Sequence, residues 1–142
     1  MKVNRSVLVP YQTHQMFDVV NDVASYPSFL PGCEDAVVHE ATSSSMRATL
    51  TLRRAGISVR LTTENRLSRP SRIEVALVEG PFKRLSGEWT FLPLGDDGCR
   101  VTLELDFAGN SITAFAVESM FSRVADQMVD AFSEQAERRY HS

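Results

Sequence analysis

The feature that most constrains this chain is a switch of hydrophobic period at Gly109. Before it, apolar residues recur at every second position. Ile57, Val59, Leu61, Thr63, Asn65 and Leu67 share one parity, against Ser58, Arg60, Thr62, Glu64 and Arg66 on the other. Met46, Ala48, Leu50 and Leu52 repeat the pattern, as do Leu85, Gly87, Trp89 and Phe91, and Val101, Leu103, Leu105 and Phe107. Alternation of this kind means strands in a sheet with one buried and one wet face. Turn signals separate them: Ala55-Gly56, Arg69-Pro70-Ser71, Gly80-Pro81 and Gly95-Asp96-Asp97-Gly98. Beyond Gly109 the period becomes helical. Asn110 or Ser111 is a candidate cap for a helix running toward Arg139. Val117, Met120, Phe121, Val124, Ala125, Met128, Ala131 and Phe132 fall on one broad face of it. At about 1.5 Å per residue such a helix is roughly 40 Å long.

The front of the chain supplies the remaining elements. Residues 3–9 read as a β-branched strand stopped by Pro10. Thr13 is the expected N-cap of a helix whose apolar side is Met16, Phe17, Val19, Val20 and Val23. Prolines 27 and 31 then break regularity, leaving a short helical turn expected around residues 28–30. A one-sided sheet and a long amphipathic helix each need a partner, and each can serve the other. The expected fold is therefore α+β, a helix-grip arrangement. A curved antiparallel sheet of about six to seven strands wraps a long C-terminal helix, with two short helices after the first strand. Residues 1–142 read as one domain, long enough to bury a core without metal or disulfides. A curved sheet and a straight helix fill the space between them unevenly, so such folds often enclose a cavity.

Composition removes several function classes. The net charge of -3 weighs against a dedicated nucleic-acid binder, and no DNA partner is expected. Cys33 and Cys99 form no zinc spacing and no disulfide framework, as expected in the reducing cytoplasm. The opening MKVNRSVLVPYQ has no stretch apolar enough for a signal peptide, and no run is long enough to span a membrane. His14, His39 and His141 are scattered without metal spacing. Gly56-Ile57-Ser58-Val59-Arg60 lacks the closing glycine of a nucleophile elbow, and no phosphate-binding or dinucleotide loop is present. No catalytic residue, metal or required cofactor is singled out. The expectation is a binding protein rather than an enzyme.

Three sets of residues are candidates for binding. Leu61, Val75, Leu77, Trp89, Phe91, Leu103, Leu105, Phe121, Val124, Met128 and Phe132 converge between sheet and helix. They form either a filled core or the wall of an apolar ligand site. Thr63 and Asn65 are polar at apolar parity; they either reach solvent near a strand end or hydrogen-bond a ligand head group. Phe29, Leu30 and Phe82 lie in proline-bounded loops, as plugs on the core or as a gate touching a membrane. A charge asymmetry adds a fourth set. Residues 41–73 hold Arg47, Arg53, Arg54, Arg60, Arg66, Arg69 and Arg72 against a single acid, Glu64. Cross-strand pairing would place Arg47 opposite Glu64 and Arg66 opposite Glu74, leaving Arg53 and Arg60 unpaired. That face is either merely solvated or a docking surface for RNA or anionic lipid.

Several separated motifs carry a family resemblance. Leu8-Val9-Pro10-Tyr11, Val20-Asn21-Asp22-Val23 and Tyr26-Pro27-x-Phe29-Leu30-Pro31-Gly32-Cys33 come first. Gly80-Pro81-Phe82-Lys83-x-Leu85-x-Gly87-x-Trp89-x-Phe91-x-Pro93-Leu94, Leu105-Asp106-Phe107 and Met128-Val129-x-Ala131-Phe132 follow. In this order and spacing the chain resembles the coenzyme Q-binding branch of the START, or polyketide-cyclase-like, superfamily. Within it, the chain looks like the bacterial RatA-type ribosome-association toxins. Gln135-Ala136 departs from the Arg-Ala pair expected there. The resemblance implies a cavity for ubiquinone or a related lipid, with a role in quinone biosynthesis or respiratory electron transport. It implies ligand entry between the C-terminal helix and residues 26–32 and 80–83, with the protein cytoplasmic or peripheral to the inner membrane. It also carries two alternatives: a ribosomal subunit as partner, blocking subunit association through the arginine face, and an aromatic or polyketide cyclase, which would need a polar, ionisable pocket.

Overall fold

The computed structural model describes residues 1–110 and 114–141. The elements run β1 (Lys2–Val9), α1 (Thr13–Asn21), a 3-10 turn (Val23–Ser28), β2 (Cys33–Ala41), β3 (Ser45–Arg54), β4 (Ile57–Ser68), β5 (Arg72–Glu79), β6 (Phe82–Leu94), β7 (Gly98–Gly109) and α2 (Ala114–Tyr140). The strands form one antiparallel sheet in the order β1-β7-β6-β5-β4-β3-β2. β2 to β7 are a meander, and β1 joins at the free edge of β7. The helix-grip expectation is met, with seven strands. Among the described residues, no helix is long and apolar enough to cross a membrane.

Local chemistry sets the hairpins and the curvature. Ala55 and Gly56 close the β3–β4 hairpin with φ of 52° and 80°, the left-handed pair that matches strand twist in a two-residue turn. Gly87 sits mid-strand in β6, where an added Cβ would lie 2.1 Å from the Glu104 carbonyl oxygen. Only glycine lets β7 approach so closely at that bend. The sequence parities hold: the inner face of β4 carries Val59, Leu61, Thr63, Asn65 and Leu67. Across the sheet, Val3, Leu105, Gly87, Val75, Asn65 and Met46 form one inner row.

α2 lies in the groove of the sheet with Val124, Ala125 and Ala136 fully buried. Its far end is tied down by the Tyr140 hydroxyl, which donates to the Gln15 carbonyl at 3.0 Å. Two boundaries differ from the sequence reading. Gln12, not Thr13, precedes the helix, and its backbone N–H donates to Gln15 Oε1 at 2.8 Å, a reciprocal contact that needs no hydroxyl cap. The helical turn falls at Val23–Ser28 rather than at 28–30, because it follows α1 directly and is pinned by the buried Tyr26. The proposed cap Ser111 lies outside the described residues.

Candidate functional site

The inner faces of β3 to β7 meet α2 and the 3-10 turn around a cavity of about 70 Å³. Leu61, Thr63, Asn65, Val75, Trp89, Leu103, Leu105, Phe121 and Met128 line it, as do Val23, Tyr26, Ala48, Leu50 and Leu85. The volume is that of about two waters at roughly 30 Å³ each. The rest of the interior is filled by aromatic packing. Trp89 meets Phe132 at 5.2 Å between ring centroids, Tyr26 meets Phe132 at 5.1 Å, and Phe107 meets Phe121 at 4.8 Å. These tilted and edge-on pairs pack as buried rings prefer.

The sequence candidates therefore separate into two groups. Leu61, Thr63, Asn65, Val75, Trp89, Leu103, Leu105, Phe121 and Met128 come together around one space. Phe29, Leu30, Leu77, Phe82, Phe91, Val124 and Phe132 lie outside its lining. Phe91 packs on Phe17 of α1 at 5.7 Å, and Val124 faces Gly32. Leu30 and Phe82 are buried, and half-buried Phe29 packs on Tyr26 and Phe132. Phe29 and Leu30, in the loop before β2, and Phe82, the first residue of β6, are all anchored on the core. By contrast, Phe115 in the first turn of α2 is 81% exposed. Its neighbour Ala114 packs against Gly109, which pairs with Phe82 at the end of the sheet.

The cavity wall holds few polar groups. The Tyr26 hydroxyl donates to the Val20 carbonyl. Burial, above all, pushes its phenol well above the usual range, so it stays protonated. Asn65 Oδ1 is enclosed and has no hydrogen-bond partner. No carboxylate, histidine, lysine or arginine lines the space. Among the described residues there is also no cluster able to hold a metal ion.

The outer face of the sheet is different. Its saddle forms an open hollow of about 1190 Å³ bordered by Lys2, Glu64, Arg66, Glu74, Glu88, Glu104 and Asp106. Most of these charges answer one another. Arg66 reaches Glu74 at 3.8 Å, Arg72 bridges Glu74 and Glu88, and Arg84 holds Asp106 at 3.3 Å. The Arg84 hydrogen bond draws the Asp106 carboxyl below its usual range. The expected Arg47–Glu64 pair is present at 3.1 Å. The expectation for Arg53 is corrected: it pairs with Glu34 at 3.7 Å. Glu34 belongs to β2, which runs beside β3 and brings in an acid from outside the arginine-rich segment. Among the described residues, Arg60 alone of the seven arginines has neither an ion pair nor a side-chain hydrogen bond.

A grip of sheet on helix around an apolar interior defines a class of hydrophobic-ligand folds, and the comparisons agree. The chain belongs to the family described as polyketide cyclase / dehydrase and lipid transport, which it matches over residues 9–133. It is 42% identical over 140 residues to the ribosome association toxin RatA of Escherichia coli K12, covering 98% of this chain and 89% of that protein. It is 30% identical over 137 residues to the mitochondrial coenzyme Q-binding protein COQ10 of Drosophila melanogaster, covering 93% of this chain and 57% of that protein. These relatives bear the names of a toxin and a binding protein, not of enzymes. Among solved structures, the Zhui aromatase/cyclase from Streptomyces sp. R1128 superposes with a TM-score of 0.87 at 22% identity, covering 98% of this chain and 94% of that one. That likeness shows the fold.

Proposed function

We propose that this protein is a non-enzymatic carrier. It would hold an apolar ring-bearing molecule, ubiquinone or a related lipid, between the sheet and α2, in support of quinone biosynthesis or respiratory electron transport. The observation that carries the reading is the cavity itself: an apolar space walled by five strands, α2 and the 3-10 turn. Its present volume of about 70 Å³ is too small for a quinone ring, so loading requires the wall to move. Met128 and the leucines supply the adaptable side chains for that change, methionine being unbranched and polarizable. Each ligand methylene taken from water contributes at most about 0.8 kcal/mol. One five-carbon isoprenoid unit would offset roughly 3–4 kcal/mol of lost packing and ordering. The protein would work in the cytoplasm and touch the inner membrane transiently while loading.

A second reading is association with a ribosomal subunit, favoured by the 42% identity to a protein named for that activity. On this chain the contact would centre on Arg60, the arginine left without an acidic partner. Extraction decides between the two. The protein is purified from its host without detergent, and its organic extract is analysed by mass spectrometry. A quinone or related lipid near one per chain is the expected result. An empty extract, together with salt-dependent sedimentation on isolated subunits that is lost in Arg60→Glu, would overturn the carrier reading in favour of the second.

A further inference from the structure

The unpartnered oxygen of Asn65 specifies more than an apolar ligand. We propose that Asn65 determines the specificity of the cavity. Its Oδ1 would select a ring that carries a hydroxyl, a phenol or the reduced quinol form, over a ring that offers only carbonyl or ether oxygens. This rests on the ligand-binding reading above and extends it to the chemistry of the head group.

The placement of Asn65 carries the inference. It stands on the inner face of β4, between Met46 of β3 and Val75 of β5 in the ladder. Its oxygen is enclosed without a donor, although a buried acceptor left unmade is costly. Apolar residues at this parity of β4 (Val59, Leu61 and Leu67) show what the position would hold for packing alone. Water competes for that oxygen. A buried water typically makes about three hydrogen bonds. The polar groups in the wall are Asn65, Thr63, the Trp89 indole N–H and a Tyr26 hydroxyl that already donates to Val20. A hydroxyl on an apolar ring suits the space better, giving its proton to Oδ1 while its carbon body meets Trp89, Leu103 and Met128. The orphan atom is an acceptor, so the ligand must donate. A quinone carbonyl cannot donate, and the corresponding quinol can.

Three probes of nearly equal size test the assignment: 4-hexylphenol, 4-hexylanisole and 4-hexylcyclohexanone, each titrated into the full chain by calorimetry. The phenol is expected to bind about tenfold more tightly than the other two, the ratio for one net hydrogen bond of about 1.4 kcal/mol. In Asn65→Leu the three affinities are expected to converge to within about twofold, set by apolar burial alone. The wild-type ratio stands without any variant. Equal binding of phenol and anisole, or tighter binding of the ketone through a rotated amide, would overturn the assignment while leaving the cavity reading intact. Survival of the phenol preference in Asn65→Leu would overturn it as well. Failure of all three probes to bind would overturn the ligand-binding reading itself.

Discussion

The two faces of the sheet invite opposite mistakes. The outer hollow is about 1190 Å³ and the inner cavity about 70 Å³, so size points outward. Chemistry points inward. The outer hollow is open to water, and its charges are largely satisfied by cross-strand partners such as Arg66–Glu74 and Arg84–Asp106. The inner cavity is apolar and holds an oxygen with no partner. A wet, self-neutralised saddle follows from the twist of any long antiparallel sheet. An apolar space between sheet and helix with an unmet polar atom does not follow from twist, and it is the better candidate for a ligand.

The comparison breaks most sharply at Trp89. This residue is buried and packs on Phe132. Trp89→Ala is expected to cost about 3–5 kcal/mol of stability by urea denaturation, the range for large aromatic deletions in cores. A loss below about 1 kcal/mol would mean the inner face is far looser than its packing indicates. The outer face should be much more tolerant. Arg72→Ala removes the bridge between Glu74 and Glu88 and leaves them facing each other across the ladder, with Glu104 next in the row. The expected loss is about 1 kcal/mol or less, and smaller still at high salt. A larger loss that salt does not change would assign that face a packing role.

The last effect appears only at alkaline pH. Burial pushes the Cys99 thiol up to about 11 from an ordinary 9.0, and burial does the same for Cys33. The folded chain holds these protons more tightly than the unfolded chain. Stability from this source is therefore complete below pH 9.0 and is lost as pH rises toward 11. Denaturation at pH 8 and at 10.5 should show the fall, and Cys99→Ala should reduce its slope. An unchanged slope in that variant would place the titration elsewhere.

Much of this was legible in the sequence, for identifiable physical reasons. Strands β3, β4, β6 and β7 each bury one face against α2, so their alternation is strong. β2 is an edge strand with register shifts near both ends and polar residues on both faces, so its period is weak. Missing β2 also hid Glu34, and with it the partner of Arg53. The cavity wall from β4 and β7 followed directly from parity. Tyr26 did not, because a 3-10 turn folding back over the sheet leaves no periodic mark. Nor could parity separate the residues around the cavity from those packed elsewhere in the core. Phe91 and Leu103 read alike in sequence, yet Phe91 lies under α1. The orphan state of Asn65 depends on what neighbouring strands fail to offer, which only the assembled sheet displays.

Trp89 is the only tryptophan in the chain, and it lines the cavity. Its fluorescence therefore reports on whether the cavity takes a quinone. A short-tailed quinone is titrated against the intact protein, with acrylamide as a quencher from solvent. Quenching by the quinone is expected to saturate near one per chain, with little quenching by acrylamide of a residue this buried. Quinone quenching that rises without saturation, as a collisional quencher gives, would contradict the carrier reading.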